Sequence, residues 1–366
     1  MSKAAMKIII AGGKTGGHLF PGIAIAQAFL RIDPRTEILF VGTGELFETT
    51  TLDRYGFSHT GISVTGIKGK GVFGKIRSMA KIPGSLFQAL SIINRFKPDL
   101  VMGVGGYSSG PVVLAARLRG TMTAIQEQNS IPGITNRILS RFCHVVFTSF
   151  KTTRGLSERA VTIHTGNPVR NQDDGDSSGS LRDKDRFNLL VTGGSQGAHS
   201  VNQAVLGAVK LLADPAAVSI VHQTGKKDEE EVATQYKAMG IKATAKAFFN
   251  DMPGLMAAAD LIISRAGAGS ISEITALGKP SLLIPYPYAA DDHQRFNAME
   301  VVDQGAGWMI LDRDLTAEGL QETIELSINH PDKLLSMGGA AKDMSMPDAD
   351  RVIAETCLAM AREQGI

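Results

Sequence analysis

Cysteine is nearly missing from this chain of 366 residues: there are two, Cys143 and Cys357, far apart and in no paired spacing. Their scarcity argues against a disulfide scaffold or a cysteine zinc site and fits a reducing compartment. Aromatic residues are few, at 6%, with a single Trp. Long apolar runs are absent too. None approaches the ~20 residues that span a bilayer. The short apolar run at the N-terminus leads straight into a glycine turn, so neither a signal peptide nor a spanning helix is expected.

Acid is the other local absence. From Gly66 to Lys97 there is none, against seven bases: Lys68, Lys70, Lys75, Arg77, Lys81, Arg95 and Lys97. Apolar residues lie between them, including Val72, Phe73, Ile76, Met79, Ile82, Leu86 and Phe87. Pro83 is expected to break the segment's middle. A basic and apolar segment suits a surface that rests on anionic lipid; an amphipathic helix with a solvated basic face gives the same pattern. Nucleic acid is a competing anion, but no nucleic-acid-binding motif accompanies the bases. The net charge of +2 conceals the asymmetry: residues 1–170 hold 21 Lys+Arg and 8 Asp+Glu, and the remainder holds 17 and 28.

What the chain has in quantity is glycine, 40 residues of it. The run Lys7-Ile-Ile-Ile-Ala11 reads as a buried strand. Gly12-Gly-Lys-Thr-Gly-Gly-His18 follows, then a helical pattern from about Pro21 to Leu30. A P-loop ending at Gly13-Lys14-Thr15 requires Gly at position 8, which is Ile; a dinucleotide fingerprint from Gly12 requires Gly at 14, which is Lys. What survives is a strand–turn–helix whose helix start can face an anion, or a plain tight turn.

The unit recurs. Phe187-Asn-Leu-Leu-Val-Thr192 is followed by Gly193-Gly-Ser-Gln-Gly-Ala-His199, identical to residues 12–18 at the first, second, fifth and seventh positions. After each copy, short apolar strands alternate with helical patterns: near 37–42, 99–104, 121–126 and 144–148, then near 218–222, 243–248, 260–263 and 281–285. This predicts an α/β protein of two doubly wound parallel sheets, with ligands at the strands' carboxyl ends. The polar run 171–180 marks a linker. The resulting division is 1–170, a linker at 171–186, 187–346, and a terminal helix at 347–366 whose partner the sequence leaves open. Val352, Ile353, Thr356, Cys357 and Met360 form a helical stripe there, most simply a packing face.

Other polar constellations sit at strand ends. Gly103-Val-Gly-Gly-Tyr-Ser-Ser-Gly-Pro111 is a third glycine turn. Gln126-Glu-Gln-Asn-Ser-Ile-Pro-Gly133 offers amides suited to a hydroxyl-rich ligand, although Asn129 reads equally as a turn residue. Arg170, in Thr165-Gly-Asn-Pro-Val-Arg170, is a phosphate clamp or a solvated linker residue. Ser264-Arg-Ala-Gly-Ala-Gly-Ser-Ile-Ser-Glu273 opens a helix whose N-terminus can hold a pyrophosphate. Glu273 there binds a ribose diol or simply complements the helix dipole.

Taken in order, GGKTGGHLFPGIAIA, GVGGYSSGP, QEQNSIPG, TGNPVR, GGSQGAHSVN and SRAGAGSISEITALGKP with DDHQRFNA resemble the MurG family of N-acetylglucosaminyltransferases. The resemblance implies the GT-B fold, two facing Rossmann-like domains with a cleft between them. It implies inverting transfer of N-acetylglucosamine from UDP-N-acetylglucosamine to the muramyl 4-hydroxyl of lipid I, an undecaprenyl-pyrophosphate precursor, giving lipid II for peptidoglycan, cell shape and division. His18 would be the base. Thr15, Gly16 and Gly17 would meet the pyrophosphate region of the substrates. Asn129, Arg170, Ser195, Ala268 and Gln294 would contact the UDP-sugar, Ser270 its phosphate, Glu273 the ribose and Phe249 the uracil. Gly105, Gly106, Tyr107 and Ser109 would take the acceptor. No cofactor or metal is implied. The partners would be an anionic membrane met by residues 66–97, at the cytoplasmic face of the inner membrane, and other cell-wall synthesis proteins, with no nucleic acid. Two departures stand out: Gln126 where many members have His, and Gly269 where a larger apolar residue is common. A UDP-N-acetylglucosamine epimerase, another lipid glycosyltransferase and a non-catalytic sugar-nucleotide module are the competing readings; the basic segment argues against the epimerase.

Overall fold

A computed structural model describes residues 5–64, 82–169, 182–194 and 196–363. The chain divides into two units, 1–170 together with 346–366, and 171–345. The linker run and residues 65–81 of the basic segment lie outside the described residues.

In the first unit the strands are β1 (Lys7–Ala11), β2 (Glu37–Gly42), β3 (Ser58–Gly61), β4 (Leu100–Gly103), β5 (Met122–Glu127), β6 (Val145–Thr148) and β7 (Thr162–His164). They form one parallel sheet in the order β3-β2-β1-β4-β5-β6-β7. The helices are α1 (Gly16–Ile32), α2 (Leu46–Arg54), α3 (Ile82–Phe96), α4 (Ser109–Leu118) and α5 (Ile134–Leu139). Alternate residues of the central strands feed opposite cores, as a two-sided buried sheet requires. Ile8, Ile10, Leu100 and Met102 pack with α1, whereas Ile9, Ala11 and Val101 pack with α3 and α4. Pro83 stands in the first turn of α3 and does not break the described helix, because a missing N–H is tolerated at a helix start.

The second unit repeats the plan: β8 (Phe187–Thr192), β9 (Val218–Gln223), β10 (Ala243–Lys246), β11 (Leu261–Ser264), β12 (Ser281–Leu283) and β13 (Gly307–Met309), in the parallel order β10-β9-β8-β11-β12-β13. Its helices are α6 (His199–Leu211), α7 (Glu229–Ala238), α8 (Met252–Ala258), α9 (Ala268–Ala276), α10 (His293–Asp303), α11 (Ala317–Asn329) and α12 (Pro331–Met344). In both sheets the chain reverses direction next to the first strand, between β1 and β4 and between β8 and β11. Such switch points open a crevice at the carboxyl ends.

The final helix, α13 (Ala349–Glu363), returns to the first unit. Ile353, Ala354 and Cys357 join the core beneath α1, and Arg31 on α1 pairs with Asp350. Burial pushes the Cys357 thiol up, out of the reactive range. Among the described residues no helix is long and apolar enough to cross a membrane.

Two outcomes are expected. Ile353→Ala leaves a cavity under α1 and costs about 2–5 kcal/mol; hydrogen exchange is expected to localise the loss to the first unit although the residue lies at the end of the chain. The second concerns His222 on β9, which is fully buried. Its Nδ1 lies 2.9 Å from the Tyr236 hydroxyl and its Nε2 3.0 Å from Asn202 Oδ1, so Nε2 carries the proton. Burial lowers its pKa to about 3. The unfolded chain therefore takes up a proton near pH 6.5 that the folded one refuses. Stability from this residue is present above that pH and is lost as pH falls toward about 3, at a limiting slope of about 1.4 kcal/mol per pH unit. Urea titrations of wild type and His222→Gln across that window check it; the variant is expected to show the shallower slope.

Candidate active site

At the switch point of the first unit, two glycine turns interlock. Gly12 and Gly13 follow β1 with φ of +128° and +131°, and Gly105 and Gly106 follow β4 at +93° and +82°. A Cβ on Gly12 would stand 2.2 Å from the Gly105 carbonyl oxygen, and one on Gly105 would stand 2.6 Å from Cδ2 of His18. Only glycine allows both the positive φ and the close approach. His18 thus lies against the second turn, half-buried. Its Nδ1 is 3.2 Å from Oγ1 of Thr15, the residue that precedes α1. Thr15 consequently makes no side-chain cap to α1, and no acid sits in the first turn. That helix end keeps its partial positive charge. Thr15 and Gly17 are exposed, Gly16 and Tyr107 half-buried. Ser109, expected at the acceptor, is fully buried, and its hydroxyl donates to Gly106 O at 2.9 Å, bracing the turn from beneath.

Beside these turns, β5 ends in a buried polar cluster. Glu127 accepts from the Asn129 backbone N–H at 2.9 Å, the Asn129 amide at 3.3 Å, the Gly133 N–H at 3.3 Å and Asn136 Nδ2 at 2.9 Å. Burial raises its pKa while those four donors oppose the rise. The carboxylate thereby ties the 128–133 loop down and fixes Asn129. Gln126 donates to Ser149 Oγ at 3.0 Å and Asn167 Oδ1 at 3.1 Å. Gln128 donates to Gln126 Oε1 and to Val104 O.

The second unit repeats the interlock. A Cβ on Gly197 would stand 2.1 Å from Thr224 O, and one on Gly225 would stand 2.5 Å from Gln196 O. Gln223 spans the junction, donating to Gly194 O at 3.0 Å and accepting from the Phe249 N–H at 3.1 Å. Helix α9 begins at Ala268 after Gly267, with no side-chain cap and no acid in its first turn. Ser270 lies in that turn, Glu273 is half-buried further along, and Ala268 is buried. A Cβ on Gly269 would meet nothing within 4 Å, so the small residue leaves open space there. Gln294 accepts from the Tyr286 N–H at 2.9 Å, and Asn297 donates to Ala266 O at 3.2 Å. The Phe249 ring is packed among Leu190, Leu255, Ile262 and Ile274 and is 8% exposed. It therefore has little free face for stacking, whereas Phe248 is exposed. Arg170 and Ser195 lie outside the described residues.

The organiser of this second site escaped sequence reasoning. Arg265 is buried at the end of β11. It donates to Ile284 O and Pro285 O at 3.2 Å, to Asp312 Oδ2 at 2.8 Å and to Ser200 Oγ at 3.0 Å, and it stands over the Tyr286 ring. The available signal was a single arginine between an apolar strand and a small-residue loop, a place where a cation must be paired. Beyond this loop, Asp291 and Asp292 both adopt φ of +55°, a strained start for α10. Among the described residues no group of three or more His, Cys, Asp or Glu is arranged to hold a metal.

Comparison with known proteins bears on this pair of sites. Residues 8–148 match the glycosyltransferase family 28 N-terminal domain, and 188–353 match the family's C-terminal domain. A UDP-N-acetylglucosamine–N-acetylmuramyl-(pentapeptide) pyrophosphoryl-undecaprenol N-acetylglucosamine transferase from Syntrophus aciditrophicus is 46% identical over 98% of this chain and 99% of its own. The chain belongs to the MurG family. The crystal structure of Acinetobacter baumannii MurG is 30% identical, covers 96% of this chain and 98% of its own, and superposes with a TM-score of 0.79. A putative UDP-N-acetylglucosamine 2-epimerase from Listeria monocytogenes, 15% identical, covers 98% of both chains with a TM-score of 0.70 and shares the fold. The two Rossmann-like parallel sheets are those of the GT-B glycosyltransferases, as expected from the sequence.

Arg265→Ala removes the partner of a carboxylate that is 11% exposed and strips two backbone carbonyls of their donor. The expected cost is about 3–5 kcal/mol, seen as early unfolding of the second unit, with the first unit's transition in place.

Proposed function

We propose that this chain is an inverting glycosyltransferase that moves N-acetylglucosamine from UDP-N-acetylglucosamine to the muramyl 4-hydroxyl of lipid I, forming lipid II. The observation that carries the reading is the 46% identity, across 98% of the chain, with a relative named for that transfer. The geometry of each site supports it. In the second unit, the uncapped start of α9 suits the donor's diphosphate, which gains charge as UDP leaves. Ser270 and Gln294 are assigned to the donor there, with Glu273 on the ribose. Phe249 borders the base rather than stacking on it, because its ring is already packed. Ala268 adds its backbone, and Arg170 and Ser195 complete the assignment from sequence alone.

In the first unit, Gly105, Gly106, Tyr107 and Ser109 are assigned to the acceptor, Thr15, Gly16 and Gly17 to the diphosphate, and Asn129, held by Glu127, to the UDP-sugar. His18 takes the hydroxyl proton as the oxygen attacks the anomeric carbon and the bond to UDP breaks. Imidazole suits the task because it titrates near neutrality. A lipid-linked acceptor calls for a membrane surface. Exposed Phe87 on α3, and Ile134 and Ile138 on α5 beside Arg137 and Arg141, support peripheral attachment to an anionic bilayer. Roles in cell division and contacts with other cell-wall synthesis proteins are part of the same reading.

The test is transfer of labelled N-acetylglucosamine to a lipid I analogue by wild type and His18→Gln, with UDP binding measured in parallel. The variant is expected to bind UDP normally and to lose about 10²–10⁴-fold in turnover. Equal turnover would reduce His18 to a structural residue of its loop.

A further inference from the structure

The amide of Gln128 is held in one orientation and leaves one atom over. The residue is 3% exposed. Its Nε2 donates both to Val104 O, at 2.8 Å, and to Gln126 Oε1. Both amide protons are therefore committed, and the group cannot flip without placing its oxygen against two acceptors. Oε1 is left buried with no hydrogen-bond partner, one of two such side-chain atoms among the described residues. A buried acceptor in that state is costly, and such atoms call for an explanation. Its surroundings supply one. The point where a Cβ would stand on Gly105 is 3.5 Å from Gln128 Oε1 and 2.9 Å from Nε2 of His18. The orphaned acceptor and the outer imidazole nitrogen thus flank the same glycine.

We propose that Gln128 is a positioning residue for His18: its Oε1 accepts the Nε2–H of the imidazole, which fixes the proton on Nε2 and the lone pair on Nδ1, toward Thr15. Rotation of the imidazole about its side-chain bonds closes this contact. The consequence for transfer rests on the base reading above. The acceptor's hydroxyl proton moves to Nδ1, the hydroxyl oxygen bonds the anomeric carbon, and the bond to UDP breaks. The imidazolium keeps its Nε2–H on a neutral amide. The arrangement uses an amide where other enzymes orient a base with a carboxylate. Among the described residues, charged groups near the turn have partners of their own. Lys14 pairs with Glu45, Glu48 accepts from Thr43, and Glu127 is surrounded by Asn129, Gly133 and Asn136. Gln126 fits the same design. As an amide it offers Oε1 to Gln128 and donates onward to Ser149 and Asn167, which sets the direction of the whole chain of amides.

The experiment is ¹⁵N NMR of the histidine rings in the full chain, with His18 assigned by the resonances lost in His18→Gln. In wild type the neutral ring is expected as the Nε2–H tautomer. Gln128→Met, similar in size but without the acceptor, is expected to mix the tautomers and lower the His18 pKa by about one unit, because the protonated ring loses its acceptor. Gln128→Glu keeps an acceptor and adds charge, and is expected to raise that pKa. In turnover, Gln128→Met is expected to lower kcat several-fold with KM little changed and to move the acid limb of the pH profile down with the NMR value. A wild-type ring protonated on Nδ1, or shifts and pKa unaltered in both variants, would overturn the proposal. If the tautomer responds as expected while His18→Gln keeps full turnover, the contact stands and the base assignment fails.

Discussion

Each sheet of this protein is shaped around one steric constraint: two backbone turns at the carboxyl ends of neighbouring strands that meet too closely to admit a Cβ. Gly12 against Gly105 does this in the first unit, and Gly197 against Gly225 with Thr224 in the second. The positive φ angles at these glycines aim both turns outward from the carboxyl ends. In the first unit the helix that follows, α1, presents an uncapped N-terminus; in the second, α9 does so after β11. A side chain at Gly12 would push the β4 turn away and with it the surface on which His18 rests. The chemistry assigned to each site is thus a consequence of backbone packing before any functional side chain is considered.

The second design element is polar and buried. Strand ends carry amides, hydroxyls and single charges that are matched inside their own unit: Glu127 by four N–H donors, Arg265 by Asp312 and two carbonyls, Gln223 between Gly194 and Phe249. These bonds contribute little net free energy, but a missing partner is expensive. Loops held this way keep their shape without ligand, which limits reorganisation when charge develops on the substrate. The same logic makes the leftover oxygen of Gln128 informative.

Much of the fold was legible in the residues. Lys7–Ala11 and Phe187–Thr192, each followed by a matching glycine turn, mark the first strand of each sheet, and the long apolar strands lie where their runs do. Three strands were not foreseen. β3, β7 and β13 are edges of three or four residues, reading SHTG, TIH and GWM, all too short, and the first two too polar, to stand out from loops. Helix α1 begins at Gly16 rather than near Pro21, because the turn before it sets the helix start against the low propensity of two glycines. The stripe at 352–360 announced a packing face, but only the fold shows that α1 is its partner. Within the sites, sequence could name polar residues without saying which are spent on the protein. Ser109 and Phe249 are absorbed by packing and turn geometry, while Arg265 and Gln128, which carried no assignment, organise their surroundings.

The measurement that bears most directly on the central claim is the fate of the donor with and without acceptor, followed by NMR of the anomeric centre. Transfer by single displacement requires that UDP-N-acetylglucosamine stay intact alone and that, with a lipid I analogue, each UDP released match one new β-linked disaccharide. Conversion of the donor to its 2-epimer in the absence of acceptor, or a product that retains the donor's α configuration, would contradict it.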